Sequence, residues 1–181
     1  MAPQCSFGEI DAFVSHSWLD PAAAKAHHLM EWFAAKELAG TSTRAERPTG
    51  SATEPLLWID VACLSQFTIE RDLPCLPFYI LASKQFVGLV GPHFPHRLWC
   101  ILEVFFFFEL RRGQSAPCVF LDLGSEQADS DREHVSRFGA FDADKAQCTV
   151  PEDRDHLLAI IESSFGGLQH FNRIVRSLKL S

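Results

Sequence analysis

Four short runs, "DAFVS" at 11–15, "LLWID" at 56–60, "QFVGLVG" at 85–91 and "CVFLDL" at 118–123, are apolar at successive positions and rich in β-branched and aromatic residues. A strand with one wet face alternates polar and apolar residues. A strand that does not alternate is covered on both faces, as in a parallel sheet between helices. A weaker fifth run, "AQCTV" at 146–150, completes the expected set. Helical patterns lie between the runs. Asp20 as N-cap and Pro21 at the first position open "AAAKAHHLMEWFAAKEL", which runs to Gly40. Further helices are expected around "CLPFYILAS", over 95–112 and over "PEDRDHLLAIIESSF", with Pro151 near its start. Polar stretches at 40–55 and 124–133 read as loops. Strand and helix in alternation predict one doubly wound α/β domain over 1–181, with a mainly parallel five-stranded sheet flanked by helices. In such sheets ligands bind at the carboxyl ends of the strands.

Composition narrows the function. A net charge of −7 with scattered Lys and Arg argues against a nucleic-acid partner. The longest apolar runs are broken by Lys84, Glu103 and Glu109, so no membrane insertion is expected. Six cysteines at 5, 63, 75, 100, 118 and 148 form no CxxC pair, which fits reduced thiols and a cytoplasmic location. The segment "MAPQCSFGEID" carries neither an export pattern nor the glycine that myristoylation needs. No GxGxxG or P-loop is present, which removes the common nucleotide-binding readings.

The segment "HRLWCILEVFFFFEL", 96–110, places a carboxylate, Glu103, in the middle of an otherwise apolar helical run. At 100° per residue His96, Trp99, Cys100, Phe106, Phe107 and Leu110 fall within about 60° of it. A carboxylate on such a stripe is desolvated, which raises its pKa unless a donor answers it. It marks either a functional cleft or a structural role, capping a buried amide or pairing with Arg97 or Arg111. The phenylalanine run 105–108 exceeds what one sheet face covers, which points to self-association.

Two segments resemble the Toll/interleukin-1 receptor (TIR) domain family. "DAFVSHSW" is similar to the box 1 strand, and "SKQFVGLVGPHFPHRLWCILEV" to the third strand, loop and helix that carries Ser-x-x-Trp-Cys-x-x-Glu. Trp99, Cys100 and Glu103 fall on the matching positions. "LLWIDVACLSQ" lies where the second strand and BB loop begin, whereas "ERDLPCLP" only approximates box 2 and no box 3 Phe-Trp is found. The resemblance is nearest to stand-alone TIR-like domains of plants, bacteria and protists. It implies a flavodoxin-like fold and cleavage of the nicotinamide–ribose bond of NAD, with Glu103 catalytic and NAD as substrate, not cofactor. It also implies that Trp99 walls the nicotinamide, that Phe13, Ser15, His16, Ser17 and Trp18 line the substrate, and that Asp60 binds a hydroxyl. Neither metal nor organic cofactor is implied. The partners implied are NAD and further TIR domains or copies of the chain, in immune or stress signalling. The alternative reading is a non-catalytic TIR interaction module for homotypic or adaptor assembly.

Two other chemistries can be drawn on the same helix. His96, Cys100 and Glu103, with His93 nearby, have zinc-ligand residue types, but three ligands on one helix rarely converge on one ion. Cys100 with His96 offers a thiol and a base, muted by apolar surroundings. Ser15, Ser17 and Asp60 have ordinary readings as caps, Trp18 and Trp58 as core, and His27 and His28 as a solvated helix face.

Overall fold

The computed structural model describes residues 10–38, 55–63, 75–114, 116–124 and 138–178. Four strands form one all-parallel sheet: β1 (Ala12–His16), β2 (Leu57–Ile59), β3 (Phe86–Val90) and β4 (Cys118–Asp122). Their order is β2-β1-β3-β4, consistent with a flavodoxin-like winding. Helix α1 (Ala22–Leu38) follows β1, and the single turn α2 (Asp60–Cys63) follows β2. Helices α3 (Leu76–Ala82) and α4 (Leu98–Leu110) flank β3, and α5 (Pro151–Ser164) and α6 (Leu168–Ser177) close the described chain. Among the described residues no helix is long and apolar enough to cross a membrane. The loop expected at 40–55 lies, apart from Pro55, outside the described residues, as does most of that at 124–133.

The two sheet faces differ. On one, Ala12, Val14, Val87 and Leu89 are covered by Leu29 and Trp32 of α1, which itself buries no residue fully. On the other, register aligns Trp58, Phe13 and Phe86 across three strands. Phe13 stacks on Trp58 at 4.4 Å and on Phe86 at 5.7 Å, and Phe86 meets Phe107 of α4 at 5.2 Å. This aromatic row joins the sheet to the central helix. Each such ring pair contributes about 0.5–1.5 kcal/mol beyond the area it buries.

Helix α4 is apolar nearly all round because it is covered nearly all round. Phe105 packs on Phe165 at 5.0 Å and on Phe171 at 4.8 Å, and Phe106 meets Phe165 at 5.6 Å. The chain's own C-terminal helices therefore cover the half of the phenylalanine run that the sheet cannot reach. That run supplies no separate ground for self-association. Arg111 ties the end of α4 to α3 by donating to the carbonyls of Ile80, Leu81 and Ser83, where the helix dipole favours a cation.

Three expectations change. The run 146–150 is not a fifth strand. Gln147 forms an isolated bridge with Arg97: its carbonyl accepts from Leu98 N and its own N–H donates to the His96 carbonyl. Its neighbour Thr149 accepts from Arg97. The segment thus fastens the entry to α4, because it meets the unsatisfied backbone groups there instead of the edge of β4. Helix α4 begins at Leu98 and not at 95, because Phe94–His96 forms a 3₁₀ turn containing Pro95. Helix α6 was not foreseen. It follows Gly166 and Gly167, whose φ of 72° and 90° lie in the left-handed region, and buries Phe171 and Val175 one turn apart.

Candidate active site

The strand order reverses between β1 and β3, so their connecting loops diverge at the carboxyl edge, which is where doubly wound sheets bind ligands. Ser15 is the penultimate residue of β1. Its hydroxyl donates to Oε2 of Glu103, 88 positions away, bridging the divergence. Glu103 is 7% exposed. Burial pushes its carboxyl well above the ordinary carboxylate range, the negative charge of Asp60 adds to this, and the Ser15 hydrogen bond pulls the other way. Neither arginine proposed as a structural partner is used: Arg97 donates to Thr149, and Arg111 to the carbonyls at the end of α3.

Asp60, the first residue after β2, takes donors on both oxygens. His16 Nε2 lies 3.0 Å from Oδ1, and Trp18 Nε1–H donates to Oδ2 at 2.7 Å. The other ring nitrogen of His16, Nδ1, faces Lys25 Nζ at 3.2 Å. An ammonium only donates, so the network assigns the tautomer with the proton on Nε2. Lys25 also donates to the Ser17 carbonyl at 2.9 Å. Burial lowers the Lys25 pKa, and the charges of Asp20 and Asp60 oppose that shift. One hydrogen-bonded chain thus joins α1, the end of β1 and the end of β2.

Asp20 sits beneath this network, 2% exposed. The sequence suggested an N-cap for α1. Instead Oδ1 accepts from the His93 N–H at 3.3 Å, joining the loops after β1 and β3, and Oδ2 is buried with no hydrogen-bond partner among the described residues. A Cβ on Gly91 would lie 2.3 Å from the Asp20 carboxyl carbon, so only glycine admits this approach.

The other expected site residues divide. Ser17 is buried, its Oγ accepting from Leu19 N at 3.2 Å, a turn bond. Phe13 is 0% exposed in the aromatic row and does not reach the edge. Trp58 is likewise core, whereas Trp18 is 42% exposed and not a core residue. Trp99 is half-buried, and its indole N–H points to Asp153 of α5 at 3.4 Å. Cys100 is buried, its thiol donating to the His16 carbonyl at 3.4 Å. Burial first, then the charges of Glu103 and Asp60, push that thiol well up, which mutes it as a nucleophile. His93 and His96 are exposed, so His96 does not share a face with buried Cys100. His27 is exposed and His28 half-buried, both beside Glu31. Sequence reasoning missed Lys25, whose place beside His16 is set by how α1 leans on the sheet.

In comparison with known proteins, no family model, curated protein sequence or solved structure matches this chain.

Proposed function

We propose that this chain is a TIR-like NAD glycohydrolase of a doubly wound, flavodoxin-like fold, cleaving the bond between nicotinamide and ribose. The reading is carried by one observation: a buried carboxyl at the carboxyl edge of the sheet is held by a hydroxyl and not neutralised by an arginine. Nicotinamide leaves NAD as a neutral ring from a cationic one, so departure needs no acid. It leaves positive charge on the ribosyl carbon, which a carboxylate stabilises. At rest Glu103 is biased toward its neutral form. An arriving pyridinium ring reverses that bias, because a cation favours the ionised carboxylate, so binding and ionisation are coupled. Asp60 acts as a positioning residue whose oxygens are already engaged, in place of the hydroxyl ligand the sequence suggested. NAD is the substrate and neither metal nor organic cofactor enters the scheme. The exposed thiol of Cys75 fits a cytoplasmic setting.

The test is to incubate the purified chain with NAD and measure free nicotinamide, with Glu103→Gln as control and circular dichroism to confirm its fold. Turnover that vanishes in the folded variant supports the proposal. Absence of turnover across a wide range of protein concentration refutes it. The near-complete burial of Glu103 favours a second reading, a non-catalytic module assembling with copies of itself or with other TIR domains, and that negative result is what it expects.

A further inference from the structure

Trp18 combines two properties that rarely coincide. Its ring is 42% exposed, with Leu19 beside it 52% exposed, yet its indole N–H is fixed at 2.7 Å to Asp60 Oδ2. An exposed aromatic residue held only by its backbone samples several rotamers. This one has its polar tip tied to a carboxylate that is itself held by His16 Nε2 at 3.0 Å, and His16 is held in turn by Lys25. The residues of this chain come from β1, α1 and the turn after β2, so the ring plane is set by the scaffold and not by the loop alone. Asp60 gives one oxygen to the indole N–H and the other to His16, so the solvent-facing indole is held with a flat apolar surface on offer at the carboxyl edge of the sheet.

We propose that Trp18 is a preset stacking platform for the adenine ring of the dinucleotide, with Asp60, His16 and Lys25 as the positioning residues that hold it. The inference rests on the glycohydrolase reading for the choice of ring. The scissile bond belongs beside Glu103, which lies buried beneath Ser15, whereas Trp18 lies out in solvent. A ligand with its nicotinamide ribose at the buried carboxyl extends its other end outward, and in NAD that end is a purine. Stacking on an aromatic face serves any planar base and costs little when the ring is already immobile. A mononucleotide substrate, which lacks the purine, has nothing to place there.

The platform is tested apart from catalysis by following the Trp18 indole N–H resonance of the full chain while AMP is added, with Trp18→Ala used to assign the signal. A saturable shift of that resonance, lost in Trp18→Ala and weakened in Asp60→Asn, supports the platform. A Trp18 resonance that AMP leaves unmoved overturns it, whether or not the protein cleaves NAD. The kinetic arm compares NAD with nicotinamide mononucleotide. Trp18→Ala is expected to raise KM for NAD on the order of tenfold more than it raises KM for the mononucleotide, and Trp18→Phe, which keeps a ring, to recover much of the difference. Equal effects on both substrates would assign Trp18 a merely structural role and overturn the proposal. If AMP moves Trp18 but NAD is never cleaved, the platform stands as a nucleotide site and it is the glycohydrolase reading that falls.

Discussion

Replacing Ser15 with alanine removes one oxygen atom, and the consequences reach stability and pH dependence together. The Ser15 hydroxyl is the donor to Glu103 Oε2, and both residues are buried. A buried acceptor left without its donor costs about 1–3 kcal/mol. In a domain of this size each kcal/mol moves Tm by about 2–4 °C, so Ser15→Ala is expected to melt roughly 2–12 °C below wild type. The pH dependence follows from the direction of the Glu103 shift. The folded pKa is raised above the unfolded one by burial and by Asp60, while the Ser15 bond lowers it. Removing Ser15 therefore raises it further. Between the two folded values, wild type carries an ionised Glu103 and the variant a protonated one, whereas both unfolded chains are ionised. The variant's deficit thus grows as pH rises through that window and is constant on either side of it. In a Glu103→Gln background the deficit becomes independent of pH. Denaturant titrations of the four proteins at a series of pH values measure this. A deficit that is flat with pH in the Glu103 background would falsify the assignment of Ser15 as the hydroxyl that favours the charged carboxylate. In the NAD assay, the same variant moves the alkaline-favoured limb of the pH profile upward.

Three further outcomes are expected. Glu103→Gln alone becomes more stable relative to wild type as pH rises from the ordinary carboxylate range toward neutrality, because a group with a raised folded pKa costs stability above its unfolded pKa; a relative stability that falls over that range contradicts the burial argument. Gly91→Ala drives a methyl group into the buried Asp20 carboxylate, which must abandon its bond to His93 N, for an expected loss of about 3 kcal/mol measured by urea unfolding. The double variant with Asp20→Ala recovers part of that loss. Under native conditions the exposed thiol of Cys75 reacts readily with a disulfide reagent. Buried Cys100 and the thiols of Cys118 and Cys148, pushed up by burial to about 12 and about 11, react only on unfolding.

Apolar patterning within each segment decided the architecture. Runs without alternation at 11–15, 56–60, 85–91 and 118–123 forced strands covered on both sides, and all four occur in a parallel sheet. Chemistry local to one helix was legible too, because a lone carboxylate in an apolar stripe is buried wherever the helix packs, and Glu103 is buried. Partners were not legible. Residue type and spacing named Arg97 and Arg111 for Glu103, but whether a side chain reaches depends on which elements pack across it, and the structure supplies Ser15 from 88 positions away. For the same reason Phe13 and Trp18, five residues apart near β1, have opposite fates. Strand register places Phe13 between two rings, and the turn after β2 brings Asp60 to hold Trp18 in the open. The run at 146–150 had the composition of a strand, but composition measures how well a segment suits a pleated surface and not whether an edge is there to receive it. Patterning acts within a segment and survives in the sequence; pairing acts between segments, and only the folded chain fixes it.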